Sequence, residues 1–155
     1  MKRLVLVFSG LFLVTMCFSQ RVSVPQNAEN DLKARFPKAS NARWEKEGSH
    51  FEAEWKENGL EVAVIYDVSG KWIMTERQIP VSDLPESVTA AVLQSHPSAE
   101  ILEAESQERA IGITGYQTEI RHAGKVKELT FDANGNIIAD EIEGEDEDGD
   151  EEDDD

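Results

Sequence analysis

The chain of 155 residues contains a single cysteine, Cys17. That residue falls within the first twenty positions, so everything after it can form no disulfide and offers no thiol nucleophile. Histidine is almost as scarce: His50, His96 and His122 are the only three. They lie far apart in sequence and read as scattered surface or half-buried groups, whereas a zinc site needs three or four convergent ligands. Bases are few, 15 Lys and Arg against 32 Asp and Glu, and the net charge is −17. Such a chain is repelled by nucleic-acid phosphates and by anionic lipid surfaces. It has no apolar run of the roughly 20 residues that a membrane-spanning helix requires. Also missing are a Gly-x-Ser-x-Gly elbow, a phosphate-binding loop, a dinucleotide glycine fingerprint and a His-Glu-x-x-His helix. No catalytic constellation is visible, and the expectation is a protein that is not an enzyme.

The two ends of the chain differ from its middle. Lys2 and Arg3 precede an apolar run from Leu4 to Val14, and Cys17-Phe18-Ser19 places small residues at −3 and −1 of a cut before Gln20. This is the pattern of a secretory signal peptide over residues 1–19, and it predicts a periplasmic or secreted product. A lipid anchor on Cys17 is the alternative, although Met16 is larger than a lipobox favours. At the other end, Glu141–Asp155 holds twelve acids and no base, while 20–140 holds 20 acids and 13 bases, so the charge asymmetry belongs mostly to the tail. Residues 143–155, with dense like charge and no aromatic, are expected to be disordered. Read from Gly144, the tail puts Asp146, Asp148 and Gly149 at three positions of an EF-hand loop, but Gly144 and Asp155 stand where Asp and Glu are needed. Weak calcium binding by Asp146, Asp148 and Asp150, in roughly the millimolar range, is one use of such a tail. A solubilising polyanion, or a mimic of an acidic ligand for a basic partner, are the others.

Between the ends, the sequence is written twice. Val24-Pro25 returns as Leu84-Pro85 and Phe36-Pro37 as His96-Pro97, while Tyr66-Asp67-Val68-Ser69-Gly70 returns as Phe131-Asp132-Ala133-Asn134-Gly135. Two copies of one supersecondary unit follow, 23–79 and 83–142, within a single domain 20–142. Each opens with a helix of about three turns, for which Ser23-Val24-Pro25-Gln26 and Asp83-Leu84-Pro85-Glu86 fit capping boxes, and which Pro37 or Pro97 ends. Apolar positions at helical spacing are Ala28, Leu32 and Phe36, then Val88, Val92 and His96. Strands follow. Phe51, Ala53 and Trp55 alternate with Glu52, Glu54 and Lys56, Asn58-Gly59 signals a hairpin, and Leu60 to Asp67 and Lys71 to Ile79 complete the set. The second copy reads as strands near Ile101–Arg109, Gly115–His122, Lys125–Asp132 and Ile137–Ile142. The predicted class is α+β: a tandem repeat of a helix plus four antiparallel strands, giving a continuous antiparallel sheet with two helices on one face and water on the other.

These motifs, with the leader, "F.A.W" and "YDVSGKW" in the first copy and "GY.TEI" and "ELTFDANGNII" in the second, resemble the secreted PepSY-like, beta-lactamase-inhibitor-like proteins of Bacteroidetes-type bacteria. The resemblance runs from Val24 to about Ile142 and rests on fold positions: Pro25, Pro37, Gly70, Pro85, Pro97 and Gly135. It implies the same helix-plus-four-strand architecture and a role in binding or inhibiting a protein or peptide partner in the cell envelope, with no catalytic residues and no cofactor. All three tryptophans, Trp44, Trp55 and Trp72, fall in the first copy, opposite Ala104, Ile120 and Ile137. They either fill the core under the first helix or form an aromatic patch for the partner on the open sheet face. Asp67-Val68-Ser69-Gly70 and Asp132-Ala133-Asn134-Gly135 look like fragments of a calcium loop but sit between strands, where Asp caps a tight turn and Gly takes a positive φ.

Overall fold

Short alternating segments separated by tight turns pair with their sequence neighbours, because an antiparallel ladder needs only a turn where a parallel one needs a crossover. The computed structural model describes residues 22–109 and 112–142. Helix α1 (Gln26–Arg35) precedes β1 (Arg43–Glu47), β2 (His50–Glu57), β3 (Leu60–Asp67) and β4 (Trp72–Gln78). A 3-10 turn at Val81–Asp83 leads to α2 (Glu86–Ser95), followed by β5 (Glu100–Arg109), β6 (Gly112–His122), β7 (Lys125–Asp132) and β8 (Ile137–Ile142). The eight strands make one sheet in chain order, and every neighbouring pair is antiparallel. At the tips of the β2–β3 and β6–β7 hairpins, Asn58-Gly59 and Ala123-Gly124 all have positive φ, the geometry a two-residue hairpin demands.

Both helices bury their apolar stripe on the same face. Ala28 and Leu32 of α1 pack on Phe51, Ala53 and Trp55 of β2 and on Val62, Val64 and Tyr66 of β3. Val88 and Val92 of α2 pack on Ala104, Ile120, Leu129 and Phe131. The ladder pairs Arg77 with Ser106, Ser106 with Tyr116 and Tyr116 with Phe131, which carries one face continuously across the sheet beneath both helices. Tyr66 is fully buried, and its hydroxyl donates to Asp31 Oδ2 at 3.1 Å, tying β3 to α1. Tyr66→Phe keeps the packing and leaves only that bond unmade, so a cost of about 1 kcal/mol is expected in a urea melt.

The helix starts differ from the expected capping boxes. Pro25 and Pro85 occupy the N-cap positions with ψ of 133° and 143°, and neither helix has a side-chain cap. Ser23 and Asp83 stand two residues ahead of the cap, too early for their oxygens to serve it. The proline carbonyls accept the first helical amides instead, Ala28 and Glu29 on Pro25, Val88 and Thr89 on Pro85. Phe36 and His96 lie just past the helices, at φ of −125° and −128°. Strand β6 also begins earlier than the sequence suggests, at Gly112, after a bulge between Gln107 and Glu108 on its partner.

The β3–β4 and β7–β8 turns press against the helix starts. A Cβ on Gly70 (φ +76°) would lie within 2.8 Å of three side-chain atoms of Asn27, while one on Gly135 (φ +85°) would meet Oγ, Cβ and the backbone carbon of Ser87. Asn27 can swing its amide aside by giving up its bond to the Ser69 carbonyl, but the backbone of Ser87 cannot yield without moving α2. Gly135→Ala is therefore expected to cost about 2 kcal/mol and Gly70→Ala about 1 kcal/mol. Equal losses in a denaturant titration would contradict the difference.

Candidate functional site

The three tryptophans do not converge on the open face. Trp55 is 8% exposed within the core under α1, against the Phe36 ring at 5.3 Å. Trp44 is half-buried beside Tyr66 at 5.6 Å and is paired across the ladder with Ala53, so it also faces the helix side. Trp72 is half-buried under the Arg35 guanidinium, 4.3 Å from its ring, and its indole N–H donates to Thr75 Oγ1 at 3.1 Å. Arg77 lies over Phe36 at 5.5 Å, so this side of the first half is a set of aromatic rings covered by cations.

The histidines are not all scattered. The rings of His96 and His122 meet edge to face at 5.1 Å at the end of α2. His96 is 6% exposed; its Nε2 lies 3.3 Å from Asp140 Oδ2 and 3.3 Å from Lys127 Nζ, which itself bonds Asp140 Oδ1 at 2.8 Å. Burial lowers the His96 pKa, with Lys127 and His122 adding to burial and Asp140 opposing it. Among the described residues, no group of three or more His, Cys, Asp or Glu is arranged to hold a metal ion. The two Asp-containing turns spend their oxygens on themselves. Asp67 Oδ1 accepts from the Ser69 hydroxyl and amide and from the Lys71 amide, and Asp132 accepts from the Asn134 and Asn136 amides and the Asn136 side chain. Those bonds lower both carboxyl pKa values, the Ser69 hydroxyl contributing most at Asp67 and the Asn136 side chain most at Asp132. Asp146, Asp148 and Asp150, the calcium candidates, and Cys17, the lipid-anchor candidate, lie outside the described residues.

The feature that alternation alone missed is on the face away from the helices. There the ladder pairs Glu45 with Glu52, Glu52 with Ile65, Ile65 with Met74, Glu76 with Gln107, Gln107 with Gly115 and Gln117 with Thr130. No described helix packs on this side, yet Ile65 and Met74 are at most 1% exposed, Glu52 2% and Glu76 3%. Gln107 Nε2 bridges Glu76 Oε1 at 2.9 Å and Gln117 Oε1 at 3.0 Å, a buried polar chain across β4, β5 and β6. Burial pushes the Glu52 carboxyl up to about 9, reinforced by Glu54, Glu47, Glu76 and Glu45. Burial raises Glu76 to about 8 against the bond from Gln107, and Glu105 to about 7. At neutral pH the floor of this face therefore holds protonated carboxyls among ionised ones. Among the described residues of this face, no hydrogen bond joins a hydroxyl nucleophile to a base.

The family model described as "Putative beta-lactamase-inhibitor-like, PepSY-like" matches residues 57–139. No curated protein matches the chain. Among solved structures, a BLIP-like protein from Bacteroides fragilis superimposes with a TM-score of 0.65 at 22% identity, covering 84% of this chain and 94% of that one. A DUF2874 family protein from Bacteroides uniformis gives 0.68 at 19% identity, covering 77% and 89%. A protein from Bacteroides eggerthii described as one of the "putative periplasmic proteins" gives 0.69 at 14% identity, covering 77% and 88%. At these identities the likeness is one of fold. No helix among the described residues is long and apolar enough to cross a membrane.

Proposed function

This chain belongs to the PepSY-like, beta-lactamase-inhibitor-like family, and from that premise we propose that it is a non-catalytic envelope protein that binds, and through binding inhibits, a protein or peptide partner with the open face of its sheet. The observation that carries this reading is the face itself, eight strands wide, with both described helices on its other side. A sheet face that no described helix covers, with carboxyl and amide side chains along its floor, is suited to receive a partner. We read the segments from α1 to β4 and from α2 to β8 as two copies of one unit, which doubles the width of the surface. The leader that the sequence predicts over residues 1–19 and the Bacteroides neighbour described as periplasmic support an envelope location. Because the tryptophans sit on the helix side, the binding reading passes from Trp44, Trp55 and Trp72 to the open face.

A photo-crosslinking amino acid placed singly at Gln78 or Ala139, on the open face, and at Lys33 or Leu93, on the outer helix surfaces, tests the reading. With the producer's envelope extract, adducts to one protein are expected from the first pair only. Adducts confined to Lys33 or Leu93 would refute it.

A further inference from the structure

Among the described residues the open face is mainly acidic, although Arg109 of β5 also acts on Glu76. Its cations on the β1–β3 side are already engaged: Arg43 with Glu45 at 2.9 Å and Glu54 at 3.0 Å, Lys56 with Glu61 at 3.0 Å. Glu52 is 2% exposed, the charges that act on it most strongly are other carboxylates, with Arg43 of β1 opposing them, and among the described residues no hydrogen-bond donor holds its carboxyl. A buried carboxyl without a donor is an unmet demand for a cation or a proton, since an unpaired buried charge is too costly to keep. In the isolated chain the proton meets it.

We infer that the partner docks a cationic segment on this face, with lysine or arginine side chains seated over Glu52, Glu76 and Glu105. This deepens the open-face reading above and rests on it. Around Glu52 stand Arg43, Glu45 and Glu47 of β1, His50 and Glu54 of its own strand and Glu76 of β4; Glu105 is faced by Glu54 of β2, Glu61 of β3 and Glu103 of its own strand. Glu76 is faced by Glu105 and Arg109 of β5 and by Glu128 of β7. Guanidinium or ammonium groups entering this set pair with the ionised form of each floor carboxyl, so the protons leave as the cations arrive. Burial holds those protons in place up to roughly neutral pH or above, to about 7 at Glu105, about 8 at Glu76 and about 9 at Glu52. Charge-assisted pairs of this kind are strong because the face is partly desolvated.

The test uses the chain from Gln20 to Asp155, with hexa-arginine as the probe and hexaglutamate as its control, titrated calorimetrically from pH 6 to 8 in buffers of different ionisation enthalpy. Linkage requires that, for each proton released, the association constant rise roughly tenfold per pH unit. Carboxylates of ordinary pKa are ionised throughout this range and add no slope. The comparison protein carries Glu52→Gln, Glu76→Gln and Glu105→Gln together, which keeps the shapes and removes the titrating groups. Support is binding of hexa-arginine and not of hexaglutamate, with proton release and a pH slope that the triple variant loses. Affinity that ignores pH, or is equal in both proteins, overturns the inference. If it fails while the envelope partner still crosslinks at Gln78, only the partner's chemistry is wrong. If adducts come solely from Lys33 or Leu93, the open-face reading has failed with it.

Discussion

Stability should fall as pH rises from about 5 towards 8, and replacing Glu52 and Glu76 by glutamine should flatten that fall. In the unfolded chain both carboxyls ionise near 4.5, whereas in the fold Glu52 holds its proton to about 9 and Glu76 to about 8. Between those values the folded state carries more protons than the unfolded state, so raising the pH favours unfolding. The contribution of each group is complete below its unfolded value and is lost as pH climbs to its folded value. Each such group lowers stability by about 1.4 kcal/mol per pH unit over that window. Glu105, raised to about 7, acts in the same sense. His96 acts in the opposite sense: its folded pKa is lowered, so its contribution is present above the ordinary histidine value and declines as pH falls below it. Asp67, Asp132 and Glu57 have lowered values, and their help is lost only as pH falls below the ordinary carboxylate range. The carboxyls of the open face outnumber the one histidine, so the optimum should lie on the acid side of neutrality. Urea midpoints at pH 5, 6, 7 and 8 for the parent and the double variant decide it. Together the two groups add up to about 2.7 kcal/mol per pH unit to the parent's fall, so the double variant should be the more stable at pH 8 and the gap should widen steadily from pH 5. Two parallel curves would mean that these carboxyls ionise as freely in the fold as out of it.

The same groups mark where reading the sequence stops. Alternation in Phe51-Glu52-Ala53-Glu54-Trp55 assigns faces correctly, because side-chain parity is a local property of an extended chain. It assigns Glu52 to the water side by residue type, and there it fails. Whether a side chain is crowded depends on Glu45, Ile65 and Glu76, brought alongside by three other strands. A signal was present: Ile65 and Met74 are apolar at positions whose parity points away from the helices. Two large apolar residues on a supposedly wet face say that the face is not simply wet. Turn chemistry was legible for a similar local reason, since Asn58-Gly59 and Asp132-Ala133-Asn134-Gly135 carry their conformation in their own residues. The helix starts were misread because a proline preceded by Ser or Asp imitates a capping box, and only the observed ψ of Pro25 and Pro85 places the cap two residues later. The contact of His96 with His122 joins the end of a helix to the end of a strand 26 positions on, which no local pattern encodes.

Trp55→Ala should destabilise the domain by about 3–5 kcal/mol, the range for emptying a buried aromatic site. The indole is paired across the ladder with Val62, packs at 5.3 Å on Phe36 and is 8% exposed. Its Nε1 has no hydrogen-bond partner among the described residues, so the site pays for a donor it does not use. Trp55→Phe removes that orphan donor along with some volume, and the two effects oppose each other. It should therefore cost no more than about 1.5 kcal/mol, and the gap between Ala and Phe isolates packing from polarity. Trp72→Ala forfeits a half-exposed ring, its bond to Thr75 and its contact with Arg35, and should cost less than Trp55→Ala. This ordering bears on function as well as on stability. A partner that bound through the aromatic residues would be lost with Trp44→Ala or Trp72→Ala in a protein that still melts cooperatively. Retention of the partner by those two variants, with loss on substituting Glu52, Glu76 and Glu105, places recognition on the acidic face and leaves the tryptophans as the core that holds it in shape.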